Sequence, residues 1–214
     1  MDLSKPVKFE TLLDGHGQEY YMVDNAQLIW TNFAGNETSM NRGGKRNFNW
    51  VIPDPELAQQ LAAMGLNVRH RSVREGIDGE EFDHLKIDIS YETDKGIPIE
   101  EINPEWVPQV YLVDENDYLT LIEKEGLGEL DGKIITYALF EFRLYNWTYG
   151  NKTGVSAKLK RLFLRVKKDP LAGRFRFKDS GAVRPNDYAQ IAREVHAERD
   201  GQVPGGDDLP FEIP

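Results

Sequence analysis

The chain of 214 residues has no cysteine, which removes disulfides, thiolate metal sites and cysteine nucleophiles. That composition fits a reducing compartment. No apolar run approaches membrane-spanning length, and the N-terminus MDLSKPVKFE lacks a basic region followed by an apolar one. A soluble, cytoplasmic protein with no membrane partner is therefore expected. Histidine is scarce: residues 16, 70, 84 and 196 are scattered, and none pairs with another at helical metal-ligand spacing. No metal and no cofactor are expected. Gly43-Gly44-Lys45-Arg46 does not complete a phosphate-binding loop, because Ser39 stands where the first glycine belongs and Arg46 where Ser or Thr belongs. The acids of Asp78 to Asp83 do not follow the order of a calcium loop. No Ser/His/Asp arrangement is evident, so a non-catalytic protein is expected. Positive charge is also in deficit, 26 Lys and Arg against 36 Asp and Glu. Spread evenly, that balance would disfavour a polyanionic partner.

The charge is not spread evenly. From Asn151 to Lys178 ten Lys and Arg face a single acid, Asp169. This basic run overlaps the stretch Leu139 to Lys168, whose two ends alternate with a period of two. Phe140, Phe142 and Leu144 fall on one face of the first segment, opposite Glu141, Arg143 and Tyr145. Leu162, Leu164 and Val166 fall on one face of the second, opposite Phe163, Arg165 and Lys167. Both are half-buried strands. Cations interleaved with rings on a sheet face suit an unpaired nucleic acid, since Lys and Arg take phosphates and exposed bases stack on rings.

Taken in order, residues 1–25 carry weak signals and read as an N-terminal arm. Strands are expected over 28–33, 47–52, 85–91, 109–113 and 118–122, with Asp114 to Asp117 turning the last two into a hairpin. Asp54 as N-cap, Pro55 at the first helical position and Gly65 as terminator predict one helix, with Leu57, Leu61 and Met64 as its buried stripe. A helical turn is expected near 125–130 and a short helix over 186–199. Many short strands with one helix describe a mainly-β barrel or sandwich. Trp30, Phe33, Phe48 and Trp50 are ring donors in principle, although an aromatic on a strand more often belongs to the core. From Asp200 to Pro214 four acids and no base accompany glycine and proline, which predicts a disordered acidic tail.

Several spaced pieces resemble a family of bacteriophage single-stranded DNA-binding proteins. They are Phe33-Ala34-Gly35, Gly44-Lys45-Arg46-Asn47-Phe48, Ala58…Leu61…Gly65-Leu66-Asn67-Val68, and Trp147-Thr148-Tyr149-Gly150…Gly154-Val155-Ser156-Ala157-Lys158-Leu159-Lys160. The last departs from the family's pattern, with Ser156-Ala157-Lys158 where an Ala-Tyr pair is usual. The resemblance implies an oligonucleotide/oligosaccharide-binding (OB-fold-like) barrel over 26–178, with one prominent helix and extra strands. It also implies sequence-independent binding of single-stranded DNA in phage replication or recombination, in the host cytoplasm. Asp207-Asp208-Leu209-Pro210-Phe211, within a C-terminal segment 179–214, is similar to the acidic tip of bacterial single-stranded DNA-binding proteins. That likeness implies recruitment of replication or recombination proteins through the tail.

The expected DNA-binding residues are Arg42, Lys45 and Arg46 from the glycine-rich loop, and Arg143, Tyr145, Trp147, Tyr149, Lys152, Lys158, Lys160, Phe163 and Arg165 from the basic stretch. Two other readings stay open: a metal-dependent nuclease or recombination enzyme built from the many carboxylates, and a structural protein whose basic strand meets an acidic surface. Assembly as a homo-oligomer is compatible with all three.

Overall fold

Two strands of fifteen residues, the pair anticipated from the alternation at 139–168, form the spine of a ten-stranded sheet. A computed structural model describes residues 6–38, 41, 44–72 and 81–167. The chain divides into units 1–167 and 168–214, and every described residue belongs to the first. Arg42, the expected helix at 186–199 and the acidic tail with Asp207 to Phe211 lie outside the described residues. The strands are β1 (Lys8–Leu13), β2 (Glu19–Asp24), β3 (Gln27–Asn32), β4 (Arg46–Ile52), β5 (Arg69–Arg71), β6 (Phe82–Ile89), β7 (Gln109–Val113), β8 (Leu119–Ile122), β9 (Ile135–Tyr149) and β10 (Lys152–Val166). Helix α1 spans Pro55–Ala63 and the short α2 spans Ile99–Ile102, with 3-10 turns at Pro104–Trp106 and Gly126–Leu130. The mainly-β class with one main helix is thus as expected. In residues 8–24, where pattern alone is weak, the structure builds β1 and β2 and joins β2 to β9.

The strand order is β1-β2-β9-β10-β6-β4-β3, with β5 on β6, and with β7, carrying β8, on β10. β9 and β10 pair antiparallel almost throughout, from Lys152 opposite Tyr149 to Val166 opposite Ile135. Gly150 at φ +57 supplies the left-handed residue of their two-residue turn. Along its other edge β10 takes β6 at Ala157 and Lys158, then β7 at Arg161 to Leu164, both parallel. Lys160 is the extra residue of a bulge between these two pairings.

The core is aromatic. Phe33, Phe48, Trp50, Phe140 and Phe142 are fully buried, each contributing about 1.5–3 kcal/mol of transfer free energy. Phe9 of β1 stacks on Trp50 of β4 at 6.4 Å although the two strands lie far apart in the sheet order, so the sheet curls around these rings. Of the four aromatics held open as ring donors, three are therefore core. Only Trp30 stands out of it, 51% exposed.

Two local devices set the helix and the loop that flank β4. Asp54 caps α1 by accepting from the Glu56 amide at 2.8 Å. The helix closes with Leu66 N–H on the Leu61 carbonyl and Gly65 N–H on that of Ala62, a Schellman end that needs Gly65 at φ +87. Leu66 then bridges to Val155 and seats the helix end on β10. Ala58 and Leu61 are the buried positions, so the stripe turns slightly from the predicted Leu57-Leu61-Met64 line. The second device is the loop before β4. Gly35 and Gly44, both at positive φ, approach so closely that a Cβ on either would lie 2.6–2.7 Å from the other's carbonyl oxygen. This contact fixes where Lys45 and Arg46 emerge. Asp131 anchors the same loop by accepting from the Phe33 and Ala34 amides at 2.9 and 2.8 Å.

Candidate nucleic-acid interface

Period-two alternation puts Arg143, Tyr145, Trp147 and Tyr149 on one face of β9. Their cross-strand neighbours on β10 are Lys158, Ser156, Gly154 and Lys152. Beyond Asn146 and Val155 no other strand among the described residues flanks the hairpin, so it projects as a two-stranded arm. Its rings are open: Tyr149 is 83% exposed, Tyr145 49% and Trp147 36%. The Trp147 indole lies against the bare Cα of Gly154, where an added Cβ would come within 2.4 Å of Cζ2. A side chain at 154 would push the ring off the arm.

At its base the arm runs into a cleft of about 620 Å³. Lys45, Arg46, Arg143, Lys158 and Lys124 reach it, against the acids Glu92 and Asp94, so positive charge is in excess. Tyr91, Trp106 and Tyr145 supply rings. The wall opposite the arm comes from the connection between β6 and β7, through Thr93, Ile99, Ile102 and Trp106. Tyr91 and Trp106 are the rings of that connection, a signal that strand and helix patterning passes over.

The cations differ in how they are held. Arg143 has no carboxylate partner among the described residues: its guanidinium carbon sits 4.5 Å over the Trp106 ring, and Nη2 donates to the Trp106 carbonyl oxygen at 3.2 Å. Burial alone pulls its pKa down to about 10, the mark of a charge kept from water without a counter-ion. Nε of Arg46 is buried with no hydrogen-bond partner among the described residues, and burial pushes the neighbouring Tyr91 hydroxyl up to about 12. Lys158 is shared between Asp88 at 3.1 Å and Ser90 at 3.0 Å, 5.8 Å above the Tyr145 ring. Lys45 pairs with Asp94 at 2.8 Å, a hydrogen bond that raises the lysine's pKa and lowers the acid's. That pair is exposed, and an exposed ion pair contributes only about 0–1 kcal/mol. A phosphate could displace Asp94 at little cost.

The structure thus brings Lys45, Arg46, Arg143, Tyr145 and Lys158 into one cleft, with Trp147, Tyr149 and Lys152 on the arm that continues it. Lys160, Phe163 and Arg165 do not line it. The bulge re-aims Lys160, whose ammonium lies 3.8 Å over the Tyr20 ring. Phe163 stacks on Tyr111 of β7 at 5.2 Å, and Arg165 pairs with Asp117 over the Tyr137 ring. Between the cleft and Phe163 stands a two-bond pair, Arg161 Nε and Nη2 donating to the buried Glu141 at 2.6 and 2.9 Å. Unbroken alternation would set Lys158 on the face opposite Phe163 and Arg165. The extra residue at Lys160 puts all three on the side away from buried Ala157, Leu159, Leu162 and Leu164, and only their distance along β10 keeps Phe163 and Arg165 out of the cleft.

Fold and cleft together define a class: mainly-β proteins in which one curled sheet offers a cation-lined, ring-bearing cleft continued by a hairpin arm. The chain belongs to the family described as "Putative phage ssDNA-binding domain", which matches residues 16–190. No curated protein matches it. Among solved structures it is similar to the single-stranded DNA-binding protein of bacteriophage Enc34 in complex with ssDNA, at 11% identity over 78% of this chain and 95% of that one, TM-score 0.45. A C-terminal truncation of the Enc34 protein gives 10% identity over 71% and 87%, TM-score 0.43. The single-stranded DNA-binding protein gp2.5 of bacteriophage T7 gives 10% over 82% and 100%, TM-score 0.33.

Proposed function

We propose that this chain binds single-stranded DNA without sequence preference, as a non-catalytic protein of phage replication or recombination. Within that reading the sheet serves as an OB-fold-like barrel. The observation that carries it is the convergence of Lys45 and Arg46, at the start of β4, with Arg143 and Lys158 of the distant β9–β10 hairpin, beside Tyr145 and a ring-bearing arm. Arg143 has the strongest claim. A desolvated guanidinium lacking a carboxylate is stabilised by an arriving phosphate, which supplies the charge-assisted hydrogen bonds the fold withholds. Trp147 and Tyr149 accept bases, each stack being worth about 1–3 kcal/mol and indifferent to base identity. The acidic tail, through Asp207, Asp208, Leu209, Pro210 and Phe211, recruits a replication or recombination partner. Between engagements its charge competes with DNA for the cleft.

Titrating oligo-dT should quench the intrinsic tryptophan fluorescence, and labelled strand incubated with protein and Mg²⁺ should be recovered intact. Cleavage would instead establish the nuclease reading. Among the described residues no group of three or more His, Asp or Glu is placed to hold a metal ion. Absence of both quenching and cleavage would leave the basic face to an acidic protein partner.

A further inference from the structure

Trp30 is the exposed tryptophan that the cleft and arm leave unused. It occupies the left-handed region at φ +47, which a bulky side chain holds only where its surroundings enforce it. The enforcement is a bulge. Ile29 pairs with Asn49 and Asn32 with Asn47, so β3 carries one residue more than β4 between those pairs. The extra residue swings the indole over the outer face of the sheet toward β6. There it meets the His84 ring edge-on at 4.9 Å and the Phe82 ring at 6.0 Å, while the Arg71 guanidinium sits 5.5 Å over both Trp30 and Phe82. Burial first and then Arg69 lower the His84 pKa, so at neutral pH it acts as a ring and not as a cation.

This cluster shares a face with the cleft. Lys158 stands beside Asp88 in register, and Lys86, His84 and Phe82 follow Asp88 at every second residue of β6. Arg69 and Arg71 stand beside His84 and Phe82. Lys86 closes on Asp88 from the other side at 2.9 Å, so that carboxylate is flanked by two lysines, while Asp83, on the alternate face of β6, pairs with His70 at 3.0 Å. Four residues of β6, about 13 Å at about 3.3 Å each, separate the cleft from the Trp30 cluster. A few nucleotides span that distance.

We infer that the outer face of β3, β5 and β6 is a second contact zone for the same single strand, with Trp30 as a base-stacking ring and Arg69 and Arg71 as phosphate partners. This extends the function proposed above and rests on it. The strained backbone is the cost of holding a ring open to an unpaired base, and the two arginines make the zone selective for a polyanion.

The test compares short oligo-dT of about 6 nucleotides, near the lower end of the roughly 4–16 that one such fold covers, with long oligo-dT of about 20, beyond its upper end. In the full-length wild type the longer strand should bind more tightly. Trp30→Ala should lower affinity for the long strand by at least fivefold and so collapse the long-to-short ratio, while Trp30→Phe should keep most of it. Arg71→Gln should shrink the same ratio and flatten the salt dependence on the long strand only. If both Trp30→Ala and Arg71→Gln leave the ratio at its wild-type value, the second zone does not exist and the cleft reading stands. An equal loss of affinity at both lengths also overturns the zone, since it reports general damage. If the wild type binds neither length, it is the cleft reading that has failed.

Discussion

Replacing Arg143 by methionine separates a binding residue from a structural one. Burial alone pulls the pKa of its guanidinium down to about 10, well below the ordinary value for arginine. At about 1.36 kcal/mol per pH unit this bounds the penalty for keeping the charge folded at roughly 3 kcal/mol, and screening reduces it to about half. The sign follows from the depressed pKa of a base. At pH 7 the group is charged in both folded and unfolded states, so the penalty is present in full and is relieved only as pH rises past about 10. Against it stand the Trp106 cation–π contact, about 0.5–1 kcal/mol, and one hydrogen bond to a carbonyl, about 1 kcal/mol. The terms nearly cancel. Arg143→Met should therefore change stability by no more than about 1 kcal/mol in a urea titration. On oligo-dT the same change should cost about 1.5–3 kcal/mol, the worth of a charge-assisted hydrogen bond. It should also reduce the log–log salt slope by about 0.7, one phosphate contact. A variant destabilised by several kcal/mol, or one that binds with wild-type affinity and slope, would refute the assignment.

The remaining expectations concern the arm, its glycine and the tail. Trp147→Ala should cost more than about 1 kcal/mol on oligo-dT while the unfolding transition stays cooperative. Phe163→Ala, whose ring is engaged with Tyr111 outside the cleft, should cost less on DNA than Trp147→Ala does, and comparable losses would mean that the strand reaches β7. Gly154→Val should mimic Trp147→Ala in binding, because the Cβ collides with the indole; unaltered quenching on DNA addition would show that the ring is not a platform. Deleting Asp200 to Pro214 should tighten DNA binding, most visibly at low salt where charge competition is least screened, and an unchanged affinity would count against competition.

Much of the sheet is legible in the amino-acid pattern because alternation is a local property. Phe140 and Phe142 declare an inward face of β9, Phe48, Trp50 and Ile52 that of β4, and Asp54, Pro55 and Gly65 mark both ends of α1 without reference to anything distant. The same reasoning picks out Lys45, Arg46, Arg143, Tyr145 and Lys158 of the cleft, but not Lys124, Tyr91 or Trp106. It could not choose among Trp30, Phe33, Phe48 and Trp50, since Trp30 and Trp50 look alike until the sheet curls and buries one of them. Nor could it see that a single inserted residue at Lys160 reverses the facing of β10 partway along the basic stretch, or that the connection between β6 and β7 brings Trp106 across to Arg143. Strand identity and facing direction are set by each residue's immediate neighbours along the chain. Which cation meets which ring depends on register, bulges and closure, which only contacts between distant segments decide.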